Sequence, residues 1–129
     1  YGANLKRVTN VYVDAFNLYY NAVKNEKTPG FKWLDIRKMV ANAFPQNAIQ
    51  TVRYFTAKVQ ARTNDPQKPQ RQELYLRALR TCPNLTIHYG RYVSWPKVMP
   101  LTDDPTHRLV KVINTEEKGS DVNLATFVI

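Results

Sequence analysis

A single cysteine, Cys82, stands in 129 residues. No intrachain disulfide can form, which fits a reducing compartment, and a cytoplasmic location is expected. No apolar run reaches the roughly 20 residues that a membrane span requires, so no membrane partner is expected. The stretch from Tyr1 to Arg7 has neither an initiator Met nor an apolar segment of signal-peptide length, and it reads as a trimmed boundary. Repeats and low-complexity tracts are missing. Zinc ligands are scarce as well: beside the one cysteine, His88 and His107 show no ligand spacing, which disfavours a zinc site. Acids are few, 10 Asp and Glu against 19 Lys and Arg.

What remains is the composition of a folded domain, 43% hydrophobic and 12% aromatic. One domain is the expectation at this length, and it can bury roughly two-thirds of the surface of its unfolded chain. The net charge of +9 suggests an anionic partner, of which nucleic acid is the commonest. Charge alone is equally consistent with a solvated basic surface, because the cations are scattered and form no tail.

The patterning alternates strands with helices. Val11-Tyr12-Val13 is a continuous apolar run that suits a buried parallel strand ending at Asp14. Ile36, Met39, Val40, Ala43 and Phe44 share one face of a helix predicted over Trp33 to Phe44, stopped by Pro45. Val52 to Val59 reads as a second strand, and Ala61 to Pro69 as a polar loop. Gln70 to Cys82 reads as a helix whose Tyr75, Ala78, Leu79 and Cys82 share a face. Leu85, Ile87 and Tyr89 alternate with polar neighbours as a third strand. Ser94 to His107, with three prolines, reads as a long loop, and Leu109 to Ile113 as a fourth strand. A last helix begins at Ser120, a plausible N-cap, with Val122, Ala125 and Ile129 on its apolar face. The class is therefore α/β with an open, mostly parallel sheet. Such sheets bind ligands beyond the carboxyl ends of their strands. If the first and fourth strands are neighbours, Asp14, Glu116, Glu117 and Asp121 converge there. Because the apolar face of the last helix has no later strand to cover it, residues 1–129 read as a single domain lacking a C-terminal strand. That uncovered face offers a surface for a homo-oligomer.

Two segments carry chemistry. In Val11 to Leu18, Asp14 follows a buried strand and can hold a hard cation. Asn17, three residues on, can offer an amide oxygen or orient Asp14. Asp14 is equally a favoured helix cap. In Thr115 to Asn123, Gly119 permits close backbone approach. Asp121 falls in a first helical turn, where a carboxylate is favoured by the dipole. Capping and a solvated charge cluster account for this segment equally well.

Four segments in this order, VDAFNLYY (Val13 to Tyr20), RYFTAKV (Arg53 to Val59), RQELYLRAL (Arg71 to Leu79) and EEKGSDVNLA (Glu116 to Ala125), resemble NYN domains of the LabA-like group. The resemblance extends over about Val11 to Ile129. It implies a PIN-like, Rossmann-like three-layer sandwich around a central parallel sheet, and a Mg²⁺- or Mn²⁺-dependent ribonuclease. The first acidic ligand of its D-x-x-N motif falls on Asp14 with Asn17 beside it, and the acid of its K-G-x-D motif falls on Asp121. The family's further acidic motif would lie beyond Ile129.

The residue types suit that chemistry, because phosphodiester hydrolysis needs an activated water and stabilisation of charge on phosphate oxygens. The expected roles are Asp14 and Asp121 as catalytic carboxylates and metal ligands and Asn17 as the residue orienting them, with Glu117 or Glu116 as an added carboxylate. Arg53, Arg71 and Lys118 are candidates for phosphate contacts, each also readable as an ordinary solvated charge. Tyr19, Tyr20 and Tyr54 could stack on bases, while Cys82 and His88 read as structural. The function expected is an endoribonuclease acting on RNA. The alternative is a non-catalytic RNA-binding or regulatory module. A dehalogenase-like phosphatase is disfavoured, because Phe16 stands where its D-x-D core needs a second acid.

Overall fold

The computed structural model describes residues 5–24 and 33–128. Its four strands, β1 (Arg7–Asp14), β2 (Asn47–Ala57), β3 (Leu85–Pro100) and β4 (Leu109–Lys118), form a sheet in that spatial order. β1, β2 and β3 run parallel, and β4 is antiparallel to β3. The helices are α1 (Ala15–Leu18), continued by a π-helical turn Tyr19–Val23, then α2 (Ile36–Ala43), α3 (Lys68–Arg80) and α4 (Ser120–Val128). The α/β class with a mostly parallel sheet is therefore observed.

Alternation along the strands divides the core. Val13, Val52 and Tyr54 face Ala15 of α1, Ile36 and Val40 of α2, and Leu76 and Leu79 of α3 in one buried cluster. On the opposite face Phe55 stacks on His88 and lies against Phe127 of α4. β2 is thus covered on both sides, and Val52 through Ala57 is buried apart from Arg53. That explains its nearly unbroken apolar and β-branched sequence. Burying a side chain such as Phe55 or Val52 stabilises the fold by roughly 1.5–3 kcal/mol.

Several boundaries differ from the sequence expectation. α2 starts only at Ile36, because Asp35 caps it by accepting from Lys38 N at 3.0 Å. α3 buries Leu76 and Leu79, with Ala78 exposed. The expected loop Ser94 to His107 is strand as far as Pro100, and β4 reaches Lys118, so Glu116 and Glu117 lie within β4 rather than after it. Prolines argue against a central strand but not against an edge. β3 pairs with β2 only up to Gly90, and from Arg91 to Pro100 it pairs with β4 alone. The missing N–H of Pro96 or Pro100 can therefore point to the open side, and a spacing of four lets both share that orientation.

α4 also turns a different face to the sheet. Val122 is 67% exposed and Ala125 is exposed, whereas Phe127 covers Phe55 and His88. Ser120, Asn123, Leu124 and Phe127 are the positions at i, i+3, i+4 and i+7, a face half polar and so invisible to a count of apolar residues. Ile129 lies outside the described residues. The expected neighbouring of β1 and β4 does not occur, since they are the two edges of the sheet. Their ends nevertheless reach the same side: β4 runs back along β3, so Lys118 pairs with Arg91, one residue past the last β2–β3 pair.

Candidate functional site

At the carboxyl end of β1, Asp14 has extended backbone and caps α1. Its Oδ1 accepts from Asn17 N at 3.1 Å and its Oδ2 from Asn17 Nδ2 at 2.7 Å. The two residues expected to work together are thus in contact, with Asn17 fixing both carboxylate oxygens. Each oxygen keeps a further lone pair. By strand alternation Asp14 lies on the same side of the sheet as Tyr12, Phe55 and α4.

Glu117 is held as tightly. Its Oε1 accepts from Ser120 N at 2.9 Å and its Oε2 from Ser120 Oγ at 2.7 Å. Glu117 thus satisfies the first N–H of α4, with Gly119 O accepting from Asn123 N at 2.9 Å, and the buried Ser120 donates to Glu117 rather than capping the helix itself. Gly90 makes room for this turn, since a Cβ there would meet Glu117 Oε1 at 2.5 Å and Lys118 O at 2.5 Å. Gly119 has φ +96°, which a side chain rarely adopts. Asp121 follows in the first turn of α4, exposed to solvent.

Tyr92 links the two carboxylate segments. It stands opposite Glu117 in the β3–β4 register and receives the edge of Phe16, with ring centroids 5.6 Å apart. Burial, with the nearby Tyr20 and Glu117, pushes its phenol up to about 12. Asp14, Phe16, Tyr92, Glu117 and Ser120 thus form a continuous line along the carboxyl end of the sheet.

Among the described residues no three Asp, Glu, His or Cys side chains gather around one point. The donors are all oxygen, as Mg²⁺ and Mn²⁺ prefer. Mg²⁺ keeps several waters and needs only one or two carboxylates. Asp14 and Asp121 are the residue types that could hold such an ion.

Each cation expected to contact phosphate has an internal partner. Arg53 donates to His88 Nε2 at 3.1 Å and lies over the Phe127 ring at 4.3 Å. A guanidinium can only donate, so that Nε2 accepts and the His88 proton sits on Nδ1. Arg71 pairs with Asp65, and Lys118 pairs with Glu116 at 2.7 Å. Tyr54 is buried in the core and unable to stack on a base, whereas Tyr20 is exposed.

Two cations that sequence reasoning passed over form no ion pair among the described residues. Arg62 and Lys68 lie in and just after the β2–α3 loop. With Tyr20, Val59, Gln60, Tyr92 and Thr115 they line a cleft of about 130 Å³. The signal was available: loops after the carboxyl end of a parallel strand carry ligand contacts. The run from Ala61 to Pro69 read as polar filler because its two cations are separated by five residues. The chain matches no family model, no curated protein and no solved structure.

Proposed function

We propose that this domain is a metal-dependent endoribonuclease of PIN-like type. The observation that supports the reading is the Asp14–Asn17 pair at the carboxyl end of a parallel strand, with the Phe16–Tyr92 contact linking its segment to a cleft lined by Arg62, Lys68, Tyr20 and Tyr92. The net charge of +9 favours an anionic polymer as substrate. A bound divalent ion would supply an activated water and offset charge on the phosphate oxygens. Asp14 would hold the ion and Asn17 would keep the carboxylate oriented. Asp121 would add a second negative charge from the first turn of α4, and Arg62 and Lys68 would hold the phosphate backbone. The resemblance to NYN domains points to RNA.

One observation favours the second reading, a non-catalytic RNA-binding module. Both oxygens of Glu117 are engaged by Ser120 and both of Asp14 by Asn17, and among the described residues no three potential ligands gather around one point. Incubation of labelled RNA with Mn²⁺ separates the two. Cleavage that disappears in Asp14→Asn supports the nuclease. RNA binding without cleavage, in this chain and in a version extended beyond Ile129, moves the assignment to the module.

A further inference from the structure

We infer that the cleft between the β2–α3 loop, the π-helical turn and the β3–β4 hairpin is a phosphate subsite for single-stranded RNA, in which Arg62 and Lys68 hold a backbone phosphate and Tyr20 and Tyr92 present rings to the adjoining bases. The RNA part of this assignment rests on the function proposed above, while the anion part stands on the cleft itself.

Size sets the class of ligand. The cleft holds about 130 Å³, several times the roughly 30 Å³ that one water occupies in the liquid. A phosphate with its waters fits this open cleft. Because the cleft is open, a chain that places one phosphate there can continue outside it.

Charge sets the sign. Arg62 and Lys68 both line the cleft, and neither forms an ion pair among the described residues. The carboxylate nearest in the loop, Asp65, is engaged by Arg71. Lys68 shares the field of Asp65 with Arg71, so the cleft carries two cations against a carboxylate already bound by Arg71. The remaining polar lining is neutral. Gln60 and Thr115 are both tied to Ser94 Oγ, at 3.1 and 2.8 Å, which fixes the hairpin base against the end of β2. The wall is thus positioned before any ligand arrives.

The aromatic positions set the direction. Tyr92 belongs to the cleft and also touches Phe16, two residues from Asp14. Tyr20 lies in the π-helical turn that continues α1, a geometry frequent at functional sites. A strand held at Arg62 and Lys68 that continues past Tyr92 is led toward the Asp14–Asn17 pair. Base stacking on tyrosine is sequence-tolerant, so the subsite favours unpaired RNA without a strong base preference.

The test uses anisotropy of a fluorescent oligouridylate of about a dozen nucleotides, with the unaltered protein, Arg62→Ala, Lys68→Ala and the exposed hairpin control Lys97→Ala. Loss of one charge-assisted contact weakens binding about tenfold or more at low salt and lowers the salt slope by about one. The expected result is that loss for Arg62→Ala and Lys68→Ala, a smaller one for Lys97→Ala, and unchanged thermal midpoints. NMR titration with inorganic phosphate gives a second reading and should shift Arg62, Lys68 and Tyr92. Unchanged RNA affinity in both cleft variants overturns the subsite and removes Arg62 and Lys68 from the nuclease reading, which then rests on loss of Mn²⁺-dependent cleavage in Asp14→Asn alone. No RNA binding by the unaltered protein, with phosphate still shifting Arg62 and Lys68, keeps an anion site and overturns the nuclease reading. Response to neither probe overturns both.

Discussion

Gly90 and Glu117 occupy each other's space: any side chain at position 90 would bring its Cβ within 2.5 Å of Glu117 Oε1. The same Cβ would meet Lys118 O at 2.5 Å and Ser120 N at 2.8 Å. Two of these neighbours are backbone and cannot rotate away. Gly90→Ala should therefore destabilise the fold by about 1–3 kcal/mol, the range of forced overpacking, read as a lowered urea midpoint. Gly119→Ala meets open space, with Gly90 Cα 3.7 Å away, but must hold φ +96°. Its cost should come from the backbone alone, about 1 kcal/mol. A Gly90→Ala protein as stable as the parent would show that β4 and α4 do not close over that position.

Asp14 can be a cap, a ligand or both, and Asp14→Asn separates the roles. Asn caps helices about as well as Asp, so stability should change by less than about 0.5 kcal/mol. Removal of the charge should abolish metal-dependent cleavage and Mn²⁺ heats in calorimetry. Asn17→Ala leaves the charge in place and removes the donor to Oδ2, and a loss of about 10–100-fold in metal affinity is expected. Equal Mn²⁺ binding by Asp14→Asn and the parent would leave Asp14 with the cap alone.

His88 gives a pH signature. Burial, then the charge of Arg53, pulls its pKa below the ordinary 6.5. A depressed histidine binds fewer protons in the folded than in the unfolded chain. Its contribution is therefore fully present above pH 6.5 and is lost as pH falls through the folded value. Imidazole NMR should show His88 titrating below 6.5, with the Nδ1–H tautomer above it, and Arg53→Gln should move the midpoint up. A midpoint at or above 6.5 in the parent would contradict the Arg53–His88 contact.

RNA binding should weaken steeply with salt, since each phosphate contact releases counterions. The measurement is the slope of log affinity against log salt between about 50 and 200 mM. A flat response would remove the electrostatic basis of the proposed interface.

Local chemistry made much of this molecule legible in the sequence. Val11-Tyr12-Val13 marked a covered strand, and Asp14 three residues before Asn17 marked a pair that does touch. Proline misled at Pro96 and Pro100, because its exclusion holds for paired strands and β3 has an open side there. At α4, Asn123 sits on the inner face and donates to Tyr89 O at 3.2 Å, so a search for apolar residues settled on Val122 and Ala125. The Arg62–Lys68 cleft is assembled by three segments distant in the chain. Only the order of the strands, which composition does not encode, brings Tyr20, Arg62 and Tyr92 together.

The exchange of partners by β3 at Gly90 also implies an order of assembly. The β3–β4 hairpin closes over a short connection, and hairpins form in about 1–10 μs. The β1–β2 pairing joins residues such as Val8 and Ala48, far apart in sequence, and such non-local parallel contacts form late because the loop entropy must be met first. α4 docks on β1, β2 and β3 while being capped from β4. Closure of α4 is therefore expected to follow both halves, with Gly90 the joint between the local ribbon and the non-local sheet.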